Sequence, residues 1–564
     1  MATVPPSTDG LQNEGPTAPD AATPAVSHEE LVLLEKDVPI SRSLIWQLQR
    51  DSYTRRGVKS WTEDMVPQFI TNNPFIAEIF ARIVFGFICD CIDLGEKHSR
   101  PLSAQNPLLI LELGAGPGKF SFLFLRQLEV LLRSKEIPLN IVRYCMTDCS
   151  DSLIQTWRTN KYLSEFSDRG ILQFELLDAS GDINSCFLRG NTSETIEQAP
   201  SPLLVIANYV FDSLPHDAFV IKEGQIFELL QTTAAPRQGA GNNAPEALHR
   251  LKFSYTNAAD TTPGHYADDS WNRVLDLYRR RLPSATVLFP SQALKTLGAL
   301  RKFSGGTMLV LAADKGYLYE DSLLLSQGAP TYEFHSANCF SQMVNFDAIA
   351  KYFEAGGGEA FLPEKQSSSL HICAFLAREP GAQFPALKAR YQEARSAIGP
   401  DDLFALLAWL NPHMEEMSVP QILALLRLSR SDPTTLVRLF PILARQIRSA
   451  VAERNDLRNA VLLTWANHFP ISPSDNVLAF YCGVILLELG FFEEGLSLFK
   501  QSQDLLGRSA TTSYNLGLCS LGLGRTAEAC AFMIEACDLD AAFEPARVML
   551  QRLEDEQART RFIR

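Results

Sequence analysis

The residues whose types and spacing could do chemistry fall into four groups: Glu112 with Gly114, Gly116 and Gly118, then Asp148, then Asp178, then Asn208 with Asp212. The first group sits in LLILELGAGPGKFSFLFL, residues 108–125. Glycines suit a backbone that must turn sharply and let a ligand come close with no Cβ in the way. The spacing is G-x-G-x-G, not G-x-G-x-x-G, and an acid stands two residues before the first glycine. That combination fits the S-adenosylmethionine form of a nucleotide site better than the pyrophosphate form. The plain alternative is a tight turn between a strand and a helix. Asp148 ends an apolar segment, where ribose hydroxyls are accepted in such sites; it would otherwise cap the helix opened by Ser150 and Asp151. Asp178 could accept from an adenine amino group, or lie in a surface turn. Asn208 and Asp212 follow the buried run LLVIA at the carboxyl end of a central strand, where open α/β sheets bind ligands. There Asn208 and the backbone near Tyr209 would hold an acceptor nitrogen, and Asp212 would orient it or take its proton. The competing reading makes Asp212 a helix cap and Asn208 a strand-end turn residue. His216 and His335 read as structural, and no metal-ligand cluster is apparent.

The elements that must position these residues alternate. Apolar runs at 108–111, 141–147, 170–177, 203–207 and 306–313 read as buried strands, with 226–230 as a short one and 359–362 with 370–376 as a closing hairpin. Helical patterns at 119–133, 152–163, 268–282, 291–303 and 346–355 lie between them. The fold class is α/β: a doubly wound, mostly parallel, seven-stranded Rossmann-like sheet. Residues 27–92 read as N-terminal helices, one starting at 31–34, one over 41–53 capped by Ser41, and an apolar one over 73–92. They would cover the sheet or act as a lid over the cofactor. Residues 231–247 read as a mobile loop.

From about Pro385 the pattern is helical only. Gly483, Gly495, Phe499 and Ser502 recur as Gly517, Ala529, Met533 and Ala536, each 34 residues later. That is the tetratricopeptide period, with small residues where helices cross closely. The expected organisation is a disordered tail at 1–28, an N-terminal helical segment at 29–104, the sheet domain at 105–380, a helical linker at 381–472 and tetratricopeptide-like repeats at 473–564.

At 564 residues the chain needs more than one core. Its 51 Lys and Arg against 65 Asp and Glu leave a net charge of −14, which argues against a broad nucleic-acid footprint. No apolar run is long enough to span a membrane, and the Pro-, Ala- and Thr-rich start has no Lys or Arg in its first 28 residues, so it fits no targeting presequence. Scattered cysteines read as reduced thiols, and the expected location is cytoplasmic.

Residues 41–378 resemble the MidA-like methyltransferases, which include the mitochondrial enzyme that methylates an arginine during complex I assembly. The likeness is carried by VPQFITNNPFIAEIFARIV (66–84), LELGAGPGKF, ANYVFDSLPHDAF (207–219) and MVNFDAIAKYF (343–353), in that order. The resemblance implies a class I fold and S-adenosylmethionine as cofactor, bound by Gly114, Gly116, Gly118 and Asp148, to which the residue reading adds Glu112 and Asp178. It places Asn208 and Asp212 at the reacting centre. The family's glutamate after the Asn is Tyr209 here, and its Pro-Glu is Pro74-Phe75; a guanidinium acceptor wants such carboxylates. Three readings follow: a methyltransferase acting on a protein nitrogen with the repeats recruiting the substrate, an inactive scaffold of the same fold, or a small-molecule methyltransferase.

Overall fold

The structure is a computed structural model and describes residues 31–63, 65–66, 70–97, 101–181, 202–237, 248–260, 264–324, 328–336, 338–364, 370–396 and 400–562. The tail expected at 1–28 lies outside them. Two compact units are formed, His28–Phe404 and Ala405–Arg564.

The first unit is built on a seven-stranded sheet in the spatial order Glu359–Phe361, His371–Ala377, Met308–Asp314, Leu203–Asn208, Leu108–Leu113, Val142–Asp148, Leu172–Leu176. The last five pair in parallel. His371–Ala377 runs antiparallel to both of its neighbours. Strands covered on both faces must be apolar throughout, and Met308–Asp314 is buried at every residue. The strand order reverses between Leu108–Leu113 and Leu203–Asn208. Connections leave to opposite faces there and open a crevice at the strands' carboxyl ends.

Helix Pro74–Lys97 packs on Lys119–Arg133, and Pro385–Ser396 packs on Pro74–Lys97. Asp90 accepts from the amides of Ala386 at 3.1 Å and Leu387 at 2.8 Å, which satisfies the start of that last helix. A Cβ on Gly86 would lie 2.7 Å from the Ala386 carbonyl, so the crossing requires glycine.

A second sheet escapes the alternation pattern. Leu31–Pro39, Gln225–Pro236, Asp217–Lys222 and Ser284–Phe289 pair antiparallel in that order, and Lys252–Asp260 also pairs with Gln225–Pro236. The helix expected at 31–34 is therefore a strand. A four-residue apolar run carries no period, and its partners, from Leu31 with Pro236 to Leu33 with Ala234, lie more than 200 residues away. The loop expected at 231–247 continues as strand to Pro236, with 238–247 outside the described residues. Ser41 falls in a 3-10 turn, and Ser43 caps the helix Leu44–Arg56 instead. The helix expected at 152–163 breaks at Asn160, whose side chain accepts from the amides of Tyr162 and Leu163 and starts a new helix, Lys161–Ser167.

The second unit is helical. Val477–Glu488 packs on Phe492–Leu506, and Ala510–Gly522 on Thr526–Leu539. The two hairpins use equivalent contacts: a Cβ on Gly483 would lie 2.8 Å from the Phe499 ring, and one on Gly517 would lie 2.6 Å from Met533 Cε. Phe499 is rigid and packs edge-on to Phe480, whereas a methionine can turn aside. Gly483→Ala should therefore destabilise the chain by about 1 kcal/mol net, overpacking outweighing the helix gain from alanine. Gly517→Ala should be close to neutral. Urea unfolding of the full chain compares the two, and equal effects would contradict this account.

Candidate functional site

The glycine turn leaves Leu108–Leu113 with Gly114, Gly116 and Gly118 at φ of 60°, 54° and 86°. All three lie in the left-handed region that side chains avoid. The turn is fastened to the neighbouring strand. Ala115 donates to the Thr147 carbonyl at 2.9 Å, and Thr147 Oγ1 donates to the Glu112 carbonyl at 2.7 Å. The Gly116 peptide is held from both sides: its N–H donates to Asp148 Oδ2 at 3.1 Å, and its carbonyl accepts from Trp157 Nε1 at 2.9 Å.

Beside this turn lies a cavity of about 640 Å³, within the range of small-molecule and cofactor sites. It is lined by Glu112, Gly114, Gly116, Asp148, Asp178 and Asn208 among others. Six of the expected site residues thus meet in one place. Gly118 does not line it. It caps the helix Lys119–Arg133, and a Cβ there would meet Met146 and Leu163 on the core side. Asp212 does not line it either; it is buried beside Asp314.

The lining residues have partners of their own. Glu112 accepts from Ser121 Oγ at 2.5 Å and Tyr144 O–H at 2.9 Å, joining its strand to the following helix and the next strand. Burial pushes its carboxyl up to about 7. Asp148 faces the turn and also accepts from the Ser150 amide at 3.3 Å, so it serves the following helix as well as Gly116; burial raises its pKa. Asp178 is held by the Ser180 amide at 2.8 Å and by Arg50 at 3.3 Å. Asn208 Nδ2 donates to the Thr71 carbonyl at 3.5 Å, while its Oδ1 is buried with no hydrogen-bond partner among the described residues. Tyr209, next in the chain, holds φ of 57°, a strained conformation for a non-glycine residue. His216 is fully buried, its pKa pushed down to about 4 by burial, and His335 bonds Ser341 Oγ at 2.8 Å; neither lines the cavity.

Several lining residues carry no motif. Trp46, Arg50, Tyr53 and Trp61 come from the N-terminal segment, and Gln292 and Lys295 from the helix Ser291–Ser304. Trp61 lies against the glycine turn, such that a Cβ on Gly116 would be 3.1 Å from its ring. Only the tryptophan's place in a polar stretch could have marked it.

Two outcomes follow. Gly116→Ala combines left-handed strain of about 1–2 kcal/mol with a contact on Trp61, so it should abolish cofactor binding in calorimetry while the fold survives by circular dichroism. Glu112 has a folded-state pKa above its ordinary 4.5, so it stabilises fully below pH 4.5, and this contribution is lost as pH rises to about 7. Glu112→Gln has no proton to lose. The wild-type Tm minus the variant Tm should therefore fall between pH 5 and 8, and a constant difference would refute the assignment.

None of the curated proteins matches this chain. Two crystal structures from Burkholderia thailandensis are similar. One is an uncharacterized superfamily protein, 12% identical, covering 61% of this chain and 87% of its own, with a TM-score of 0.36. The other is a "likely methyl transferase" bound to S-adenosyl-homocysteine, 13% identical, covering 62% of this chain and 90% of its own, with a TM-score of 0.38. Residues 95–323 match the profile of a family described as "Putative S-adenosyl-L-methionine-dependent methyltransferase". The stretch that builds the glycine turn, Asp148, Asp178 and Asn208 is thus a match to a family of S-adenosylmethionine-dependent methyltransferases, and the cavity offers the bare backbone such a cofactor needs.

Proposed function

We propose that this chain transfers a methyl group from S-adenosylmethionine to a nitrogen of a protein substrate, recruited by tetratricopeptide-like repeats in its C-terminal unit. The observation that carries the reading is Asn208 Oδ1: a buried acceptor with no donor among the described residues, on a residue that lines the cavity together with Gly114 and Gly116. An unmet acceptor of this kind costs free energy unless a ligand N–H reaches it.

Bound S-adenosylmethionine would supply an activated methyl on a sulfonium. The protein then needs mainly to orient an acceptor lone pair for in-line attack. Gly114 and Gly116 would take the cofactor backbone-close, with Asp148 facing its ribose and Asp178 its base. Asn208 Oδ1 would accept one N–H of the acceptor and so direct the nitrogen's lone pair. Asp212 lacks access to the cavity, so the proton released after transfer passes to water. Tyr209 stands where the MidA-like pattern has Glu, and Phe75 is buried. A guanidinium would find no bidentate carboxylate from those two positions, so the reading stops at a nitrogen acceptor.

The repeat reading rests on the equivalent Gly483–Phe499 and Gly517–Met533 crossings. The proposed organisation keeps a helical repeat region at 473–564 after a linker at 381–472, with the cofactor domain at 105–380. No nucleic acid or membrane partner is included. No helix among the described residues is long and apolar enough to cross a membrane, and a cytoplasmic location belongs to the proposal. One observation favours an inactive scaffold instead: Trp61 rests against Gly116, where the cofactor would lie.

Calorimetry with S-adenosylmethionine separates the two. Binding is expected, and no heat at millimolar cofactor would remove the enzyme reading. With a labelled-methyl assay on lysate proteins, Asn208→Ala should lower turnover by about 10- to 100-fold, the loss of one hydrogen bond to a developing cation, and leave cofactor affinity unchanged. Label confined to small molecules would favour a small-molecule acceptor.

A further inference from the structure

Trp61 covers the middle of the glycine turn. A Cβ on Gly116 would be 3.1 Å from Trp61 Cε2 and Cζ2 and 3.2 Å from Nε1. Three adjacent ring atoms at nearly one distance mean that the indole turns its face, not its edge, to this glycine. The Gly116 Cα lies at most one bond length, about 1.5 Å, further off. A ligand atom between two carbon surfaces needs a gap of roughly 7 Å, because each contact takes about 3.5–4.0 Å. No ligand atom fits between the ring and the Gly116 backbone.

The ring is carried by a turn that closes on itself. The amides of Ser60 and Trp61 donate to the carbonyls of Gly57 and Val58 at 3.1 and 3.0 Å, and those of Thr62 and Glu63 donate to Val58 and Lys59, each at 3.1 Å. The turn starts at Gly57, which ends the helix Leu44–Arg56 at φ of 52° and ψ of −131°. Side chains avoid that conformation, and a Cβ there would lie 2.0 Å from Ser152 Oγ. The helix before it is held in place: Tyr53 O–H pairs with Cys339 Sγ at 3.0 Å, and Gln49 Oε1 accepts from the Phe340 amide at 2.9 Å. Gly57 is thus the joint between a fixed helix and the four-residue helix Lys59–Thr62 that carries Trp61. The indole also stacks on Tyr53, with centroids 6.3 Å apart and planes at 28°, and both rings line the cavity.

We propose that Trp61 is a plug on the cofactor site: it covers the face of Gly116 that S-adenosylmethionine would use, and it must swing aside about Gly57 before the cofactor can bind. This rests on the methyltransferase reading above, because it takes the ligand to lie on Gly116. A contact that would rule out an enzyme in a rigid protein becomes, in a hinged one, a brake on cofactor entry. The consequence is quantitative. A protein that binds only when open shows an affinity reduced by the open fraction. Removing the ring should therefore strengthen binding, whereas truncating an ordinary wall of a site weakens it.

The test is calorimetry of the full chain with S-adenosyl-homocysteine. Trp61→Ala should bind it about 10-fold tighter than the wild type or better, the gain expected where the open form is a tenth of the molecules or fewer. Trp61→Phe keeps a smaller ring, so its affinity should fall between the two, and it decides the matter if the alanine variant does not fold. Binding by a folded variant that equals or falls below that of the wild type overturns the proposal. The two failures are distinguishable. Heat from the wild type with no gain in either variant removes the plug and leaves the methyltransferase; no heat from any of the three proteins removes both. Heat from the variants alone is the result of a plug that is nearly always closed, and upholds it.

Discussion

The Gly116 peptide is the point on which the cavity depends. Its N–H is given to Asp148 and its carbonyl to Trp157, so the turn between the first strand and its helix is bonded to the next strand and to the helix beyond. A turn at φ of 54° that is also bonded on both sides has little freedom left. A preorganised bare backbone is what a nucleoside ligand requires, because the cost of ordering the loop is met in folding and not in binding. The same bonds explain why Asp148 lies close to the glycines: as one partner in the turn, it is aimed there whether or not a ribose is present.

Buried carboxyls recur around this centre, each solved differently. Glu112 has two hydroxyl donors, from Ser121 and Tyr144. Asp148 has backbone amides. Asp314 has the Phe211 amide on Oδ2. Asp90, on the helix Pro74–Lys97, caps a helix start. Hydroxyl and amide donors stabilise a charge without adding one of their own, so these acids act as joints between strands and helices. Asp178, partly exposed, instead meets a cation, Arg50, and such a pair contributes little by itself.

The helix Leu44–Arg56, braced by the antiparallel sheet, forms the side of the cavity that no motif announces. Glu35 on the strand Leu31–Pro39 accepts from Ser43 Oγ and the Leu44 amide, and from Thr233 on the strand Gln225–Pro236. That network sets where the helix begins, and thereby places Trp46, Arg50 and Tyr53 at the cavity. Trp46 in turn packs on His216 and Phe340, linking the wall to the segment after Asp212.

The amino-acid order by itself determined the parallel strands, the glycine turn and the residues at the strand tips. A strand buried on both faces must be a continuous apolar run, and a left-handed turn must be glycine, so both constraints are local and leave a local mark. The 34-residue recurrence of Gly483 and Gly517 is legible for the same reason: a close helix crossing excludes side chains at fixed intervals. What only the tertiary structure decided is which of these residues share a space. Leu31–Pro39 became a strand because Gln225–Pro236 offered it amides and carbonyls from far along the chain. Gly118 turned away from the cavity because the chain around it packed against Met146 and Leu163, and Asp212 was buried out of the cavity. Trp61 came to rest on Gly116 through chain folding that no spacing encodes. Long-range pairing is set by the sum of many contacts, and no single stretch of sequence carries that sum.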